Sequence, residues 1–144
     1  MIPEPIIFEI SNEVLSPLKE KYPLKGKNSH IGKIAVEIAV LYFKSIYPYA
    51  EFSFNVNGVD LSLHCNDTVR LFEVKGTEDN NISFLKLKVS SQQCHDLLKN
   101  GTVSIMRITN IGESIMKIYF LHYGTHFVLK PEVRFSVNKI AALI

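Results

Sequence analysis

The chain has little of what marks a secreted or membrane-bound protein. Its 144 residues include only two cysteines, Cys65 and Cys94, which are too few for a disulfide scaffold. No stretch approaches the roughly 20 apolar residues that a bilayer-spanning helix needs. The opening Met-Ile-Pro-Glu-Pro lacks the basic residues of a secretory signal. We therefore expect a reduced, cytoplasmic protein with no membrane role.

The net charge is small and no glycine-rich loop is present, and these two properties argue against two classes of function. The net charge at pH 7 is only +2, so nucleic-acid binding would have to use local patches rather than a global positive field. No glycine-rich phosphate loop is present, which leaves an intrinsic ATPase activity unsupported. A hydrophobic content of 47% and a charged content of 21% are those of an ordinary globular chain. At this length, residues 1–144 are expected to form a single domain.

Apolar periodicity predicts a mixture of helices and strands, which is an α/β (α+β) pattern. Residues 1–29 hold four of the six prolines and predict an N-terminal arm or short strand and a short helix near Asn12 to Lys21. The core, residues 30–144, opens with a helix from Ser29 or His30 to Ile46. Because this helix is apolar on both sides, we expect both sides to be covered.

The rest of the core is predicted to be mainly strands. A capping box of Ser90 and Gln93 predicts one further helix, which Gly101 is well placed to end. The chain ends in the apolar segment Ile140 to Ile144. Strands are expected at residues 52–56, 59–63, 69–75, 82–89, 102–109, 114–122 and 127–129.

The most informative feature is a predicted hairpin that carries two acids and a lysine. Asn66-Asp67 is a two-residue turn, and counting back from it along both strands places Asp60 opposite Glu73. Lys75 shares their face. Two facing carboxylates repel by up to about 1 kcal/mol unless something neutralises them, and a hard cation such as Mg²⁺ prefers oxygen ligands. The hairpin therefore predicts a metal site.

An Asp followed by Glu-x-Lys on the next strand resembles the PD-(D/E)xK motif of the restriction-endonuclease-like superfamily. The wider order is similar to the domain named after the C-terminal region of plant NO VEIN proteins, over roughly residues 28 to 122. Val59 departs from the superfamily, which often has proline there, and Gln93 stands where the NO VEIN-like branch tends to have an acid. The matching segments are His30-Ile31-Gly32, Glu37, Gly58-Val59-Asp60, Phe72-Glu73-Val74-Lys75-Gly76-Thr77 and Val89-Ser90-Ser91-Gln92-Gln93.

The resemblance implies a central mixed β-sheet flanked by helices and a nuclease that depends on Mg²⁺ or Mn²⁺. Asp60 and Glu73 would hold the metal, while Lys75 would assist the attacking water. Glu37 would be an accessory acid aimed at the metal, and Gln93 would lie at the position of a further site residue. For Glu37 the alternative is an ordinary pair with Lys33 one turn away, and for Gln93 it is a capping role alone.

Nucleic acid, with DNA preferred, is the expected partner. The phosphate contacts would come from cations near the start of the main helix, namely Lys25, Lys27, His30 and Lys33, although these residues could equally form a solvated loop. Endonuclease action is favoured over exonuclease action, and a second copy or a partner subunit could complete substrate recognition. The main alternative is a binding module on the same scaffold, without turnover, within a restriction or defence assembly. The third interpretation is a structural α+β protein with solvated acids.

Overall fold

The computed structural model of the protein describes residues 2–140, which form three α-helices and six β-strands. A short 3-10 helix spans Phe84–Lys86. The α-helices are α1 (Asn12–Lys21), α2 (Asn28–Ile46) and α3 (Gln92–Lys99). The strands are β1 (Ile6–Glu9), β2 (Glu51–Val56), β3 (Val59–Cys65), β4 (Thr68–Gly76), β5 (Val103–Ile108) and β6 (Ile115–Leu121).

The six strands form one mixed sheet in the order β1-β6-β5-β4-β3-β2. Only β4 and β5 run parallel, and α3 lies in the crossover that joins them. All other neighbours are antiparallel. This sheet with its flanking helices confirms the α+β fold class expected from the sequence. The N-terminal segment is part of the sheet, because β1 pairs with β6 at one edge.

Two tight turns fix the register of β2, β3 and β4. Asn57-Gly58 and Asn66-Asp67 all adopt positive φ angles between 50° and 76°, which is the backbone of a type I′ hairpin turn. In the resulting register Leu61 pairs with Phe72. The next residues along the two strands are Asp60 and Glu73, so these two acids lie on the same face, as predicted.

The two faces of the sheet carry two separate apolar clusters. The larger cluster lies under α2 and contains Ile34, Ile38 and Phe43 from the helix with Phe72 and Met106 from the sheet. The smaller cluster lies under α3, whose Cys94 and Leu98 pack with Val103, Ile105 and Leu121. The acids Asp60 and Glu73 share the α3 face with the smaller cluster, so burial there bears directly on their chemistry.

Helix α2 is less completely covered than its sequence predicts. Its Ile34, Ala35 and Ile38 are fully buried, whereas Val36 and Val40 on the other side are only half-buried and line an open groove. The helix contacts β4 closely at Gly76, where an added Cβ would lie 2.8 Å from the Ala35 Cβ. Glycine is therefore what allows α2 to pack against the end of β4.

The predicted strand 82–89 is wrong. Ser83 adopts a left-handed backbone with φ of 51°, and its N–H donates to Asn81 Oδ1 at 2.9 Å. Its hydroxyl also donates to Asp79 Oδ2 at 2.6 Å. These local side-chain bonds hold the backbone in turns, while Ile82, Leu87 and Val89 still pack in or against the smaller cluster.

Two further expectations near the C-terminal half are wrong, and one lies outside the description. The N-cap of α3 is Ser91, not Ser90, and its hydroxyl accepts from the Cys94 N–H at 3.0 Å, so the capping box with Gln93 does not form. Residues 127–129 form no strand, because Phe127 makes only an isolated bridge with Tyr123. Of the apolar end 140–144, residues 141–144 lie outside the described residues.

Candidate metal and nucleic-acid site

The structure brings Asp60 and Glu73 together on neighbouring strands. The Asp60 carboxylate is half-buried, and its Oδ2 accepts a hydrogen bond from the backbone N–H of Val74 at 2.9 Å. Asp60 is close enough to Glu73 that, after burial, this contact is the next cause that raises the pKa of Glu73. The two carboxylates therefore share one small volume.

Glu73 is the most unusual acid of the chain. It is only 6% exposed, and burial followed by the contact with Asp60 raises its pKa from 4.5 to about 7. The Cys94 thiol, which donates to Glu73 Oε2 at 2.8 Å, and the charge of Lys75 act in the opposite direction. Glu73 therefore binds a proton more readily near neutral pH than an exposed carboxylate does.

Cys94 is a residue of this site that the motif did not include. It lies two residues after the start of α3 and is 1% exposed. Burial and the contact with Glu73 raise the pKa of its thiol to about 12, so the thiol stays protonated and acts as a donor. Its place in the first turn of an amphipathic helix indicates burial, but nothing in the sequence indicates its partner on β4.

Lys75 lies two residues beyond Glu73, and in the parallel register it pairs with Arg107 of β5. Arg107 is 1% exposed, and burial lowers its pKa to about 10. Its guanidinium donates to the carbonyl oxygens of Ile82 at 2.8 Å and Gly76 at 3.2 Å. Arg107, which sequence reasoning also missed, therefore holds the loop after β4 against the sheet next to Lys75.

Asp60 and Lys75 open into a large groove with a volume of about 1690 Å³. Ligand pockets for small molecules are commonly about 300–1,000 Å³, so this groove has room for a polymer. Its walls also include half-buried apolar residues of α1, α2 and β2. The ionisable lining residues are Lys33, Lys75, Lys86, Lys88 and Arg107 with Glu37, Asp60, Glu78 and Asp79.

Glu37 lines the same groove as Asp60, but its carboxylate is engaged elsewhere. Its Oε1 lies 3.5 Å from Lys21 Nζ, so its ion-pair partner comes from α1 and is not Lys33. Within residues 2–140, no three His, Cys, Asp or Glu side chains are gathered closely enough to form a ligand set for a metal ion. The structure thus provides a pair of carboxylates, with Glu37 on the wall of the groove.

Gln93 lies beside the hairpin although it completes no capping box. Its Oε1 is 2.9 Å from the position of a Cβ built on Gly58, and Gly58 precedes Asp60 by two residues. Because Gly58 also has a φ of 76°, both its backbone and its neighbour favour glycine. Gln93 therefore packs against the turn that carries Asp60.

The structure places one of the four cations expected to contact nucleic acid in the groove and the other three outside its lining. Lys33 lines the groove, with its Nζ 5.8 Å from the centre of the Tyr22 ring. His30 uses Nδ1 to contact the Pro23 carbonyl oxygen at 2.8 Å, and Lys25 and Lys27 are exposed. Of the four, only Lys33 is a lining residue of the groove that holds the acids.

Comparison of the chain with known protein families, with curated proteins and with solved structures gives no match. Separately, no helix formed by the described residues has both the length and the hydrophobicity to cross a membrane.

Proposed function

We propose that the protein is a nuclease dependent on Mg²⁺ or Mn²⁺ that hydrolyses phosphodiester bonds, with DNA as the preferred substrate. The observation that supports the proposal is the contact of Asp60 with the buried Glu73 on the neighbouring strand. Of these residues, Asp60 lines a groove large enough for a polymer, together with Lys75. Endonuclease action is favoured because the groove is open.

We propose the cytoplasm as the location of the protein. We also propose that substrate recognition requires a second copy of the chain or a partner subunit.

The donor chemistry of the pair fits a hard divalent cation. Asp60 Oδ2 and Glu73 Oε2 are engaged by the Val74 N–H and the Cys94 thiol, which orients the two carboxylates. Burial raises the pKa of Glu73 most, and the negative charge of Asp60 adds to this rise; a positive ion between the acids would relieve the repulsion from Asp60. Mg²⁺ is commonly held by one or two carboxylates while it keeps several waters, so two protein ligands suffice.

A bound Mg²⁺ or Mn²⁺ would lower the pKa of its water and polarise a phosphoryl oxygen. The protein's own residues would supply the rest. Asp60 and Glu73 would hold the ion, and Lys75 would orient the attacking water and stabilise the charge that develops on the phosphate. Glu37 would act from the groove wall, and Gln93 would keep the turn before Asp60 in place.

The test is cleavage of a panel of single-stranded, double-stranded and branched DNA and RNA by the purified protein. With Mg²⁺ or Mn²⁺ present, at least one substrate should be cut, and chelation by EDTA should stop the reaction. An Asp60→Asn variant purified in parallel controls for contaminating nucleases. Cleavage that persists in this variant, or a parent protein that cuts nothing, would contradict the proposal.

One observation favours the binding-module alternative. Both acids already have partners within the protein, and the described residues form no three-ligand set. In a binding module with this fold and no catalytic activity, the two acids would need only such partners within the protein and no metal ion. Retained nucleic-acid binding in EDTA, combined with no cleavage of any substrate in the panel, would make this the better account.

A further inference from the structure

The groove combines charged and apolar walls, and this combination bears on which nucleic acid it can hold. This inference rests on the proposed function, because it concerns the substrate of the same site. Five cations line the groove, but four acids line it as well. The positive field within the groove is therefore weak.

Two of the five cations are also paired with acids. Lys86 Nζ lies 2.8 Å from Asp79 Oδ2, and Lys88 pairs with Glu132. Duplex DNA is bound without sequence preference chiefly by neutralising several phosphates at once. A groove with so little net charge offers few such contacts, so phosphate contacts alone would give weak binding.

The apolar wall supplies what the charges do not. Phe54 on β2 is 48% exposed and Val14 on α1 is 40% exposed, and the half-buried Val36 and Val40 of α2 also line the groove. Phe54 pairs across the sheet with Leu61, the residue next to Asp60. Leu61 belongs to the larger cluster, so Phe54 faces the α2 side of the sheet while Asp60 faces the α3 side, and the two residues meet only as lining residues of the same groove.

Exposed apolar side chains in the groove contribute to binding only if the ligand has apolar surfaces that can pack on them. In a duplex the base faces are stacked on one another and closed to the protein, whereas single strands leave them open. Proteins that bind single strands without sequence preference combine a positively charged groove with aromatic side chains on which bases stack, and the exposed Phe54 offers such a side chain here. We propose that the groove selects single-stranded nucleic acid over duplex, with Phe54 as the stacking platform for a base of the strand that runs along the groove to Asp60.

The test is equilibrium binding by fluorescence anisotropy in EDTA, so that no cleavage occurs. The probes are one labelled oligonucleotide and the same oligonucleotide annealed to its complement. The single strand should bind at least tenfold more tightly than the duplex. Phe54→Ser should weaken single-strand binding by about tenfold, the loss of one stacked base, and leave duplex binding unchanged.

A matched control is Val69→Ser. Val69 is another exposed apolar strand residue, 54% exposed on β4, and it is not among the groove residues. This variant should bind both probes like the parent. Duplex binding as tight as single-strand binding, equal losses for both probes in Phe54→Ser, a loss in Val69→Ser, or no binding of either probe would each overturn the proposal.

The outcome is distinguishable from failure of the proposed function. Cleavage of duplex in the presence of Mg²⁺, without any preference for single strands, would leave the nuclease standing and reject the single-strand selectivity. Single-strand binding that depends on Phe54, without cleavage of any substrate, would support the selectivity and reject the nuclease. Thermal midpoints of both variants within a few degrees of the parent, as expected for surface changes, show that binding losses are not losses of folding.

Discussion

The Cys94 Sγ lies 2.8 Å from Glu73 Oε2, so a hydrogen bond joins the first turn of α3 to the middle of β4. The thiol is the donor because its pKa is raised to about 12 by burial and by the Glu73 contact. Glu73 is thereby oriented from the helix side while Asp60 approaches it from β3.

The stability of the protein should depend on pH through Glu73. In the unfolded chain Glu73 ionises near its ordinary pKa of 4.5, whereas in the folded protein burial and Asp60 raise the pKa to about 7. The folded state binds more protons in this window, so the free energy of unfolding falls as pH rises from 4.5 to 7 and changes no further above that. Urea denaturation at pH 5 and pH 8 should show a loss of up to about 3 kcal/mol from this group.

Glu73→Gln is the control for that experiment, since the amide cannot ionise and its oxygen can still accept from Cys94. The variant should lose the Glu73 contribution to the pH dependence and be more stable than the parent at pH 8. The quantity to compare is the difference between the two pH profiles, because every other ionisable group is present in both proteins. Identical profiles would show that Glu73 has an ordinary pKa.

Asp60→Asn should abolish stabilisation by divalent ions without unfolding the protein. The amide oxygen can still accept from the Val74 N–H, and the repulsion with Glu73 disappears. In the parent, an ion at a hundred times its dissociation constant adds about 2.7 kcal/mol, or roughly 8 °C in thermal midpoint for a chain of this size. The midpoint measured with and without Mg²⁺ or Mn²⁺ should rise in the parent only.

Asp60→Ala separates the ligand role from the structural one. It removes the acceptor for Val74 as well as the charge, and we expect it to be about 1 kcal/mol less stable than Asp60→Asn. If Asp60→Asn retains the full ion-induced rise, Asp60 is not a metal ligand.

Lys75→Ala should separate catalysis from metal binding. Lys75 carries positive charge beside the acids and is not itself a ligand, so the ion-induced rise in thermal midpoint should persist while cleavage falls by at least a hundredfold, the scale of loss of one charge-stabilising group. Lys86→Ala, a groove lysine paired with Asp79, is the matched control and should retain most of the activity. A Lys75→Ala variant that cuts like the parent would refute the assigned role even if the nuclease assignment stands.

Gly76→Ala should destabilise the protein by about 1–3 kcal/mol, because an added Cβ would meet Ala35 Cβ at 2.8 Å and Ile111 Cγ1 at 3.1 Å. Gly32→Ala is the contrasting change on α2, where an added Cβ has no atom within 4 Å. It should stabilise the helix by about 0.5–1 kcal/mol. Urea denaturation of both variants gives the comparison, and equal effects would argue against a close contact at Gly76.

The hairpin of the candidate site could be predicted from the sequence because its geometry is local. A two-residue turn at Asn66-Asp67 permits one register, and the period of two along each strand then assigns Asp60 and Glu73 to one face. The α+β class and the bounds of α1 and α2 follow from apolar periodicity in the same way.

Contacts between distant segments could not be predicted. The partner of Glu37 is Lys21 and not Lys33, because α1 packs beside α2 in a way that no local pattern specifies. The segment 82–89 alternates like a strand, yet Arg107 of β5 binds the Ile82 carbonyl oxygen and favours an irregular loop there. Cys94 reaches Glu73 only because the crossover brings α3 onto β4.

The pairing of β1 with β6 has a consequence for how the chain reaches its native state. Ile6, almost the first residue described, faces Ile118 on the last strand. During synthesis on a ribosome, the consecutive hairpins of β2, β3 and β4 can form while the later strands are still being added, but β1 has no partner until β6 has emerged. Closing so long a loop is entropically costly and slow. The apolar Ile7 and Phe8 therefore stay unpaired and exposed to solvent longer than the residues of the other strands. Two prolines, Pro3 and Pro5, lie just before them. Proline has no N–H to donate, so these residues hinder pairing of the exposed segment with another chain.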